Sequence, residues 1–463
     1  MTSLLDRIFG SEPEVSPKPI ENDYKQPKDA SNEGTELINQ GAYGCIFRPG
    51  IECSGKQLTS KKYITKIQKY KKTSIREVEF GKKIKNIPGY SRYYAPILET
   101  CDITVNTLKN DTEAKKCDFI NTLPEYRNKT YESNRIRYIG NQTLGEYLVK
   151  ETSNIGNVES YFRKLINTHT TLLKGITNLN RADILHFDIK ENNIMCRKKS
   201  GAPVIIDFGL SIDTSKLTDT TFPIQDAFFS YTANYEPWCL DIAMISYMAH
   251  KTQNADVEQP TINAWRNNTA SVDSMNEVIR EYIEKNPVIA GLLSPNEVNI
   301  YKESMQTYYT PLIEGGMFNV PIWGNVYDEL VKYHPSWDNY SVAVMFLRLL
   351  TQLGISEYAK EFQFIENYMN ILKSIVMMPP DKRQTAIETS VELKKSLSKI
   401  TRKGKAKIGK LFTPDFQNRE KYNARFQQIS QSKKESVRVD DNLLIKKEKN
   451  IQKIRKDKNI AVE

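Results

Sequence analysis

The sequence predicts an α+β chain in which a small, strand-rich unit carrying one helix precedes a larger, mainly helical one. Three observations predict it. "ELINQGAYGCIF", from Glu36, reads as strand, glycine turn, strand, and "KYITKIQKY" follows as a short alternating strand. "SIREVEFGKKIKNI" is the one helix of this region, with Ile75, Val78, Ile84 and Ile87 recurring near helical spacing. Beyond about residue 150, "VESYFRKLINTHTTLLKGITNL" is an amphipathic helix, and "SVAVMFLRLLTQL" and "FQFIENYMNILKSIVM" are helical as well.

The remaining elements follow in order. Residues 1–32 are rich in Pro, Ser, Asn and Glu and read as disordered. "YAPILET" and "RIRYIG" add strands to the first unit, and the polar run Lys109–Asn134 between them reads as an insertion. In the second unit, Val204, Ile205 and Ile206 form a short buried-strand signal ending at Asp207. These readings divide the chain into 1–32, a first unit at 33–140, a second at 141–400, and a basic tail at 401–463.

Composition narrows the class. With 463 residues, 39% hydrophobic and 26% charged, the chain suits a water-soluble protein of one large two-part domain or two to three smaller ones. No apolar run approaches the roughly 20 residues that span a bilayer, so no membrane insertion is expected. The start carries Asp6 and Arg7 inside its only apolar patch, unlike a secretory signal, so a cytoplasmic or virion-interior protein is expected. Cys45, Cys53, Cys101, Cys117, Cys196 and Cys239 form no CxxC pair and only four His occur, which leaves zinc poorly supported. Free thiols are the expectation; Cys101 and Cys117 would meet only if their flanking segments pair. From Lys394 onward, 21 Lys and Arg face 8 Asp and Glu, whereas the whole chain carries +10. That tail is either a solvated extension or a docking arm for nucleic acid or an acidic partner.

The chemistry concentrates in two short stretches. "LHFDIKENNIMC" places Asp188, Lys190 and Asn193 in one polar loop, and fourteen residues past Asn193 comes Asp207-Phe208-Gly209. Two carboxylates and an amide on loops joined by a short hairpin can converge, and hard oxygen ligands suit Mg²⁺ with phosphate. Each motif alone is weak; their order and spacing together are specific. Upstream, Gly41 and Gly44 let backbone approach phosphate oxygens, with Asn39 where a first glycine would stand. A tight hairpin would use the same glycines. Lys66 on the next strand would ordinarily point to water; its place after the glycine turn gives it a second reading.

These residues resemble the eukaryotic-type protein kinase family over roughly residues 35–400, most like the kinases of large cytoplasmic DNA viruses. The resemblance implies a two-lobed protein kinase-like fold with a β-rich N-lobe, a helical C-lobe and a basic C-terminal extension. It implies ATP and Mg²⁺ as cofactors, protein substrates, and transfer of the γ-phosphate to Ser/Thr hydroxyls. Lys66 then holds the α- and β-phosphates, Asp188 accepts or orients the substrate hydroxyl proton, and Lys190 neutralises the γ-phosphate. Asn193 and Asp207 are the Mg²⁺ ligands, and Asn39, Gly41, Gly44 and Ile46 form the cradle. Lys66 needs an acidic partner: Glu77 and Glu79 both offer, and Glu77 is preferred because Phe80 and Ile84 lie on its side of the helix. Gly81 stands where the family carries bulk. Ile136 would border adenine, with Tyr138 and Ile139 offering backbone groups to it.

Asp338, with Ser341 and Ala343 behind it, fits the family's central C-lobe helix better than Asp241. Arg383 is then expected to pair with Glu236 in "YEPW". The stretch 249–335 becomes an insertion, of the length that commonly serves function or partner binding. Phe187 replaces the Arg that in most relatives receives an activation-loop phosphate. Activity independent of phosphorylation at Thr214, Thr218, Thr220 or Thr221 is therefore expected. The rival readings are a pseudokinase or scaffold, which would normally have lost one of Lys66, Asp188, Asn193 or Asp207, and a small-molecule kinase of similar fold.

Overall fold

The computed structural model describes residues 36–41, 44–51, 60–68, 71–122, 130–154, 158–228, 230–251, 263–314 and 321–403. The expected disordered start and the basic tail beyond residue 403 lie outside the described residues, as does Cys53. The chain is α+β, with its larger sheet at the N-terminal end and a mostly helical remainder. It divides into two compact units, one running through Lys82 and then Ala95–Tyr138, the other Lys83–Tyr94 and Ile139 onward.

The first unit is a five-stranded antiparallel sheet. Its strands are β1 (Glu36–Gly41), β2 (Gly44–Arg48), β3 (Tyr63–Gln68), β4 (Ile97–Thr104) and β5 (Thr130–Arg137), in spatial order β1-β2-β3-β5-β4. Helix α1 (Lys71–Lys85) lies between β3 and β4 in sequence. Gly44 has a φ of 152°, and a Cβ there would fall 1.9 Å from the carbonyl oxygen of Ile67, so only glycine lets β2 lie this close to β3. Strand alternation sorts the faces. Phe47, Ile67, Ile103 and Tyr131 form an apolar core on one side. Lys66 and Asn134, register partners, point to the other, where the Asn134 amide donates to Ser74 of α1 at 2.7 Å.

The run read as a polar insertion folds back onto the apolar face. Helices α2 (Val105–Asn110) and α3 (Asp118–Asn121), with the short 3-10 turn Ala114–Lys116 between them, bury Leu108, Ala114 and Ile120 against that core. This return corrects the cysteine expectation. Cys117 reaches β2 and forms a disulfide with Cys45, with Cα atoms 6.1 Å apart, and Cys101 is also disulfide-bonded. Cys196 and Cys239 are free and buried. Ile75 is a second correction: it is 45% exposed, because α1 buries Ser74, Glu77 and Phe80 instead.

The second unit claims residues 83–94, which the sequence reading assigned to the first. The Tyr94 hydroxyl donates to the Gly175 carbonyl at 2.5 Å, the Ile205 amide donates to the Tyr93 carbonyl at 2.8 Å, and Arg197 reaches the Ser91 carbonyl at 2.6 Å. Two small sheets carry the loops of interest. Strands β6 (Gln142–Thr143), β8 (Ile194–Cys196) and β9 (Pro203–Ile205) form one; β7 (Ile184–Leu185) and β10 (Ile212–Asp213) form the other.

The helices are α4 (Leu144–Asn154), α5 (Val158–Arg181), α6 (Leu240–Lys251), α7 (Val272–Lys285), α8 (Pro287–Leu292), α9 (Pro295–Tyr309), α10 (Trp323–Leu330), α11 (Trp337–Gln352), α12 (Gln363–Met377) and α13 (Ala386–Lys403). Helix α11 is the hub: every residue from Trp337 to Leu347 is buried, so its sequence is apolar all round except where Asp338, Asn339 and Ser341 have partners. The stretch read as an insertion is integral to this unit, since Met275, Val278, Tyr282, Tyr301 and Tyr309 of α7 and α9 are all buried. No helix among the described residues is long and apolar enough to cross a membrane.

His169 of α5 is completely buried. It stacks on Phe346 with ring centres 4.5 Å apart, and its Nδ1 lies 2.9 Å from the Tyr368 hydroxyl. Burial lowers its pKa to about 3. Above about pH 6.5 the ring is neutral in folded and unfolded chains alike. Below it the unfolded chain takes a proton that the folded chain refuses, so stability falls by about 1.4 kcal/mol per pH unit from this residue alone. We expect His169→Phe, which keeps a ring on Phe346, to flatten the loss of stability between pH 6.5 and 5, read as urea midpoints. An unchanged slope would show that His169 does not resist protonation.

Candidate active site

In the first unit, Lys66 Nζ lies 2.9 Å from Glu77 Oε2, and the same oxygen accepts a 2.7 Å hydrogen bond from the Gln68 amide. The side chains are 12% and 5% exposed, so the pair is largely shielded and rigidly placed. Glu79 faces solvent. The absence of bulk at Gly81 has a local cause: a Cβ there would stand 2.9 Å from the Ile97 carbonyl oxygen, where β4 passes against α1.

Ile46 is the register partner of Lys66 across β2 and β3, and Asn39 is the exposed partner of Ile46 on β1. Gly41 and Gly44 pair at the end of the hairpin; the two residues at its tip lie outside the described residues. Tyr138 departs from expectation. Its N–H donates to the Lys62 carbonyl at 2.9 Å, extending the β3–β5 pairing, and its ring is covered by the Arg48 guanidinium at 3.6 Å. Its amide hydrogen is therefore not on offer to a ligand. Ile136 is buried, and Ile139 is half-buried at the start of the second unit.

In the second unit, the loop after β7 is hung from α11. Asp338, 1% exposed, accepts from the backbone N–H of His186 at 2.7 Å and of Phe187 at 2.9 Å. Its carboxyl is raised above the usual range because burial outweighs the pull of His186 and those two bonds. His186 Nδ1 accepts from the Asp188 N–H at 3.3 Å, so its Nε2 is the nitrogen that donates to the Ile206 carbonyl at 3.1 Å. That bond joins the loop to the segment leading into Asp207, as does the Ile206 amide donating to the Asn193 carbonyl at 2.9 Å.

Asn193, Lys190 and Tyr235 converge on Asp188. Asn193 Nδ2 donates to Asp188 Oδ2 at 2.7 Å and to its carbonyl at 2.9 Å, and Lys190 Nζ lies 3.2 Å from Oδ2. The Tyr235 hydroxyl donates to Asp188 Oδ1 and accepts from Lys190 Nζ at 3.3 Å. Phe187 and Asp207 both hold positive φ, 69° and 63°. Such conformations cost of order 1–3 kcal/mol each outside glycine and persist where neighbours enforce them. With its amide nitrogen committed to Asp188, Asn193 has its carbonyl oxygen as the remaining acceptor. That oxygen and Asp207 are hard donors of the kind Mg²⁺ takes, with phosphate completing the shell. Among the described residues, no group of three or more His, Cys, Asp or Glu forms a metal cage.

Phe187 is sealed in an aromatic cluster. Its ring lies 4.7 Å from Trp238 and 5.6 Å from Phe228, and Trp238 Nε1–H donates to its carbonyl at 2.9 Å. Thr214 is buried, while Thr218, Thr220 and Thr221 are exposed. Tyr235 and this cluster were missed in the sequence. The signal available was aromatic density: Phe228, Tyr231, Tyr235 and Trp238 crowd into eleven residues.

The expected Arg383–Glu236 pair does not form. Arg383 makes a two-pronged bond with Asp241, at 2.8 and 2.9 Å, in complete burial, and Trp337 Nε1 donates to the same carboxylate at 3.0 Å. Glu236 instead meets Arg348 of α11 at 2.6 Å. Asp241 starts α6 deep in the unit, where only a charge of opposite sign makes its burial tolerable. We expect Arg383→Ala to cost about 3–5 kcal/mol in urea unfolding by stranding Asp241. Arg383→Met with Asp241→Leu should recover most of that loss; no recovery would show that the ion pair is not the cause.

No protein-family model matches the chain, and no curated protein matches it.

Proposed function

We propose that the chain is an ATP-dependent serine/threonine-protein kinase of two-lobed, eukaryotic type, resembling the kinases of large cytoplasmic DNA viruses. The observation that carries the reading is the convergence of Lys190 and Asn193 on Asp188, in a loop whose backbone is held by a buried carboxylate. In this reading Asp188 orients the acceptor hydroxyl and takes its proton as the oxygen attacks the γ-phosphorus of ATP. The bond from γ-phosphorus to the bridging oxygen breaks, and ADP leaves. Lys190 meets the charge on the transferring phosphoryl group, and Lys66, oriented by Glu77, meets the α- and β-phosphates. Asn193 and Asp207 would hold Mg²⁺, which neutralises phosphate charge when bound.

Tyr235 is a positioning residue in this scheme, since it fixes Asp188 Oδ1 against Lys190. Regulation follows from Phe187. An aromatic packed between Phe228 and Trp238 ties the catalytic loop to the following segment without a phosphate. The Cys45–Cys117 disulfide fits a virion interior, or another non-reducing setting, better than the reducing cytosol.

Incubation with labelled ATP, Mg²⁺ and a basic protein should give phosphoserine or phosphothreonine, and Asp188→Asn should lower the rate by about 10²-fold or more. No transfer above the Asp188→Asn level would overturn the proposal. Combined alanine substitution of Thr218, Thr220 and Thr221 should leave the rate within about twofold, an effect of under ~0.5 kcal/mol on the barrier. Collapse of activity in that variant would show that a phosphate is needed after all.

A further inference from the structure

The 249–335 stretch does more than pack into the second unit: it grips the backbone of the segment that follows Asp207. Asn263 is the centre of that grip. It is 7% exposed and holds a left-handed φ of 60°, which Asn adopts more readily than most residues. Its Nδ2 donates to the carbonyls of Thr220 at 3.0 Å and Phe222 at 2.8 Å, and its Oδ1 accepts from the Ile224 N–H at 3.3 Å. One side-chain amide thus satisfies backbone groups that would otherwise need a strand partner or water.

A second anchor lies just upstream. The Tyr327 hydroxyl donates to the Leu217 carbonyl at 2.7 Å, and both residues are buried. The two anchors belong to one body. The Ala270 N–H donates to the Pro321 carbonyl at 2.7 Å, and the Trp323 N–H donates to the Asn268 carbonyl at 3.0 Å. The Trp265 ring lies 5.4 Å from that of Tyr327, and Arg266, over the same Tyr327 ring, grips both oxygens of Asp328 at 2.6 Å. Between the anchors, residues 218–221 are exposed.

The gripped segment meets the loop around Asp188 at both ends. Upstream, the Thr214 N–H donates to the Asp183 carbonyl at 2.9 Å, and β10 pairs with β7, which runs into that loop. Downstream, the Ile224 carbonyl accepts from the Phe228 N–H at 2.9 Å, and the Phe228 ring stands edge-on to Phe187 with centres 5.6 Å apart. A displacement of Ile224 therefore reaches the neighbour of Asp188 through one 3-10 turn and one ring contact.

We propose that residues 263–270 and 321–328 form an internal bracket that fixes residues 217–228 in one conformation, with Asn263 as a positioning residue for Asp188 and Tyr327 as its second support. Both anchors are neutral hydrogen bonds to backbone, so the holding needs no phosphate. The inference rests on the kinase reading for what the held segment serves, but not for the holding itself.

Hydrogen exchange of the full chain reads the holding, and phosphate transfer to a basic protein reads its use. Asn263→Gly removes the three bonds and leaves the φ of 60° unstrained. Exchange across residues 222–228 should quicken by about tenfold or more while α11 keeps its protection. kcat should fall by about tenfold with the KM for ATP within about twofold, because the Lys66–Glu77 pair that would meet its phosphates belongs to the first unit. Asn263→Asp keeps the acceptor for Ile224 but sets a carboxylate against two carbonyls, and it should match the Gly variant. Tyr327→Phe loses one hydroxyl, keeps the ring on Trp265 and should quicken exchange across residues 214–221, which tests the bracket even where the Asn263 variants fail to fold. Unchanged exchange in folded variants, or quicker exchange with unchanged kcat, overturns the proposal. Quicker local exchange in a chain whose parent transfers no phosphate leaves the bracket standing and removes the kinase reading.

Discussion

The Asp338 carboxylate is the point on which the loop around Asp188 depends. It accepts the backbone N–H groups of two successive residues, His186 and Phe187, from inside a helix that is buried almost throughout. Hydrogen bonds to a charged acceptor contribute about 1.5–3 kcal/mol each, enough to hold Phe187 at a positive φ that its side chain disfavours. With that turn held, His186 faces Ile206 and Asp188 faces Lys190 and Asn193. Release of the turn would free both directions together, so one buried acid governs the geometry of the loop around Asp188.

The same turn explains the aromatic residue that follows the histidine. Phe187 is held with its carbonyl toward the Trp238 indole and its ring between Trp238 and Phe228. An arginine in this position would need an anion to balance it in so enclosed a setting. An aromatic needs only apolar surface, and the two neighbouring rings of Trp238 and Phe228 supply it. The tie between the loop around Asp188 and the segment after Asp207 is thus made of packing rather than of charge.

Much of the α+β layout was legible because it is periodic or sharply punctuated. The glycine hairpin, the alternating β3 and the long helices α5, α11 and α12 show their type in residue order alone. Glu77 was readable over Glu79 because Phe80 and Ile84 fix the buried side of α1. What could not be read depends on where distant segments return. Cys117 meets Cys45 only because α2 and α3 fold onto the sheet, and the stretch around Tyr94 joins the second unit through backbone bonds to Gly175 and Ile205. Tyr235 illustrates the limit best: it stands beside the expected Glu236, yet its bond to Asp188 spans 47 positions and leaves no local pattern.

The exchange of partners between Arg383 and Arg348 links these threads. A buried arginine takes the acid that best satisfies its fork, and Asp241, with Trp337 donating to the same carboxylate, is pinned in that geometry. Glu236 lies instead against α11, where Arg348 also answers Glu191. Two acids share one cation here: Glu236 and Arg348 line a cavity together with Lys190, while Glu191 is buried. Lys285 of α7 and Pro287 of α8 line the same cavity, so helices of the 249–335 stretch share a wall with the loop around Asp188 and with α11, and the stretch is part of the unit's packing rather than an appendage to it.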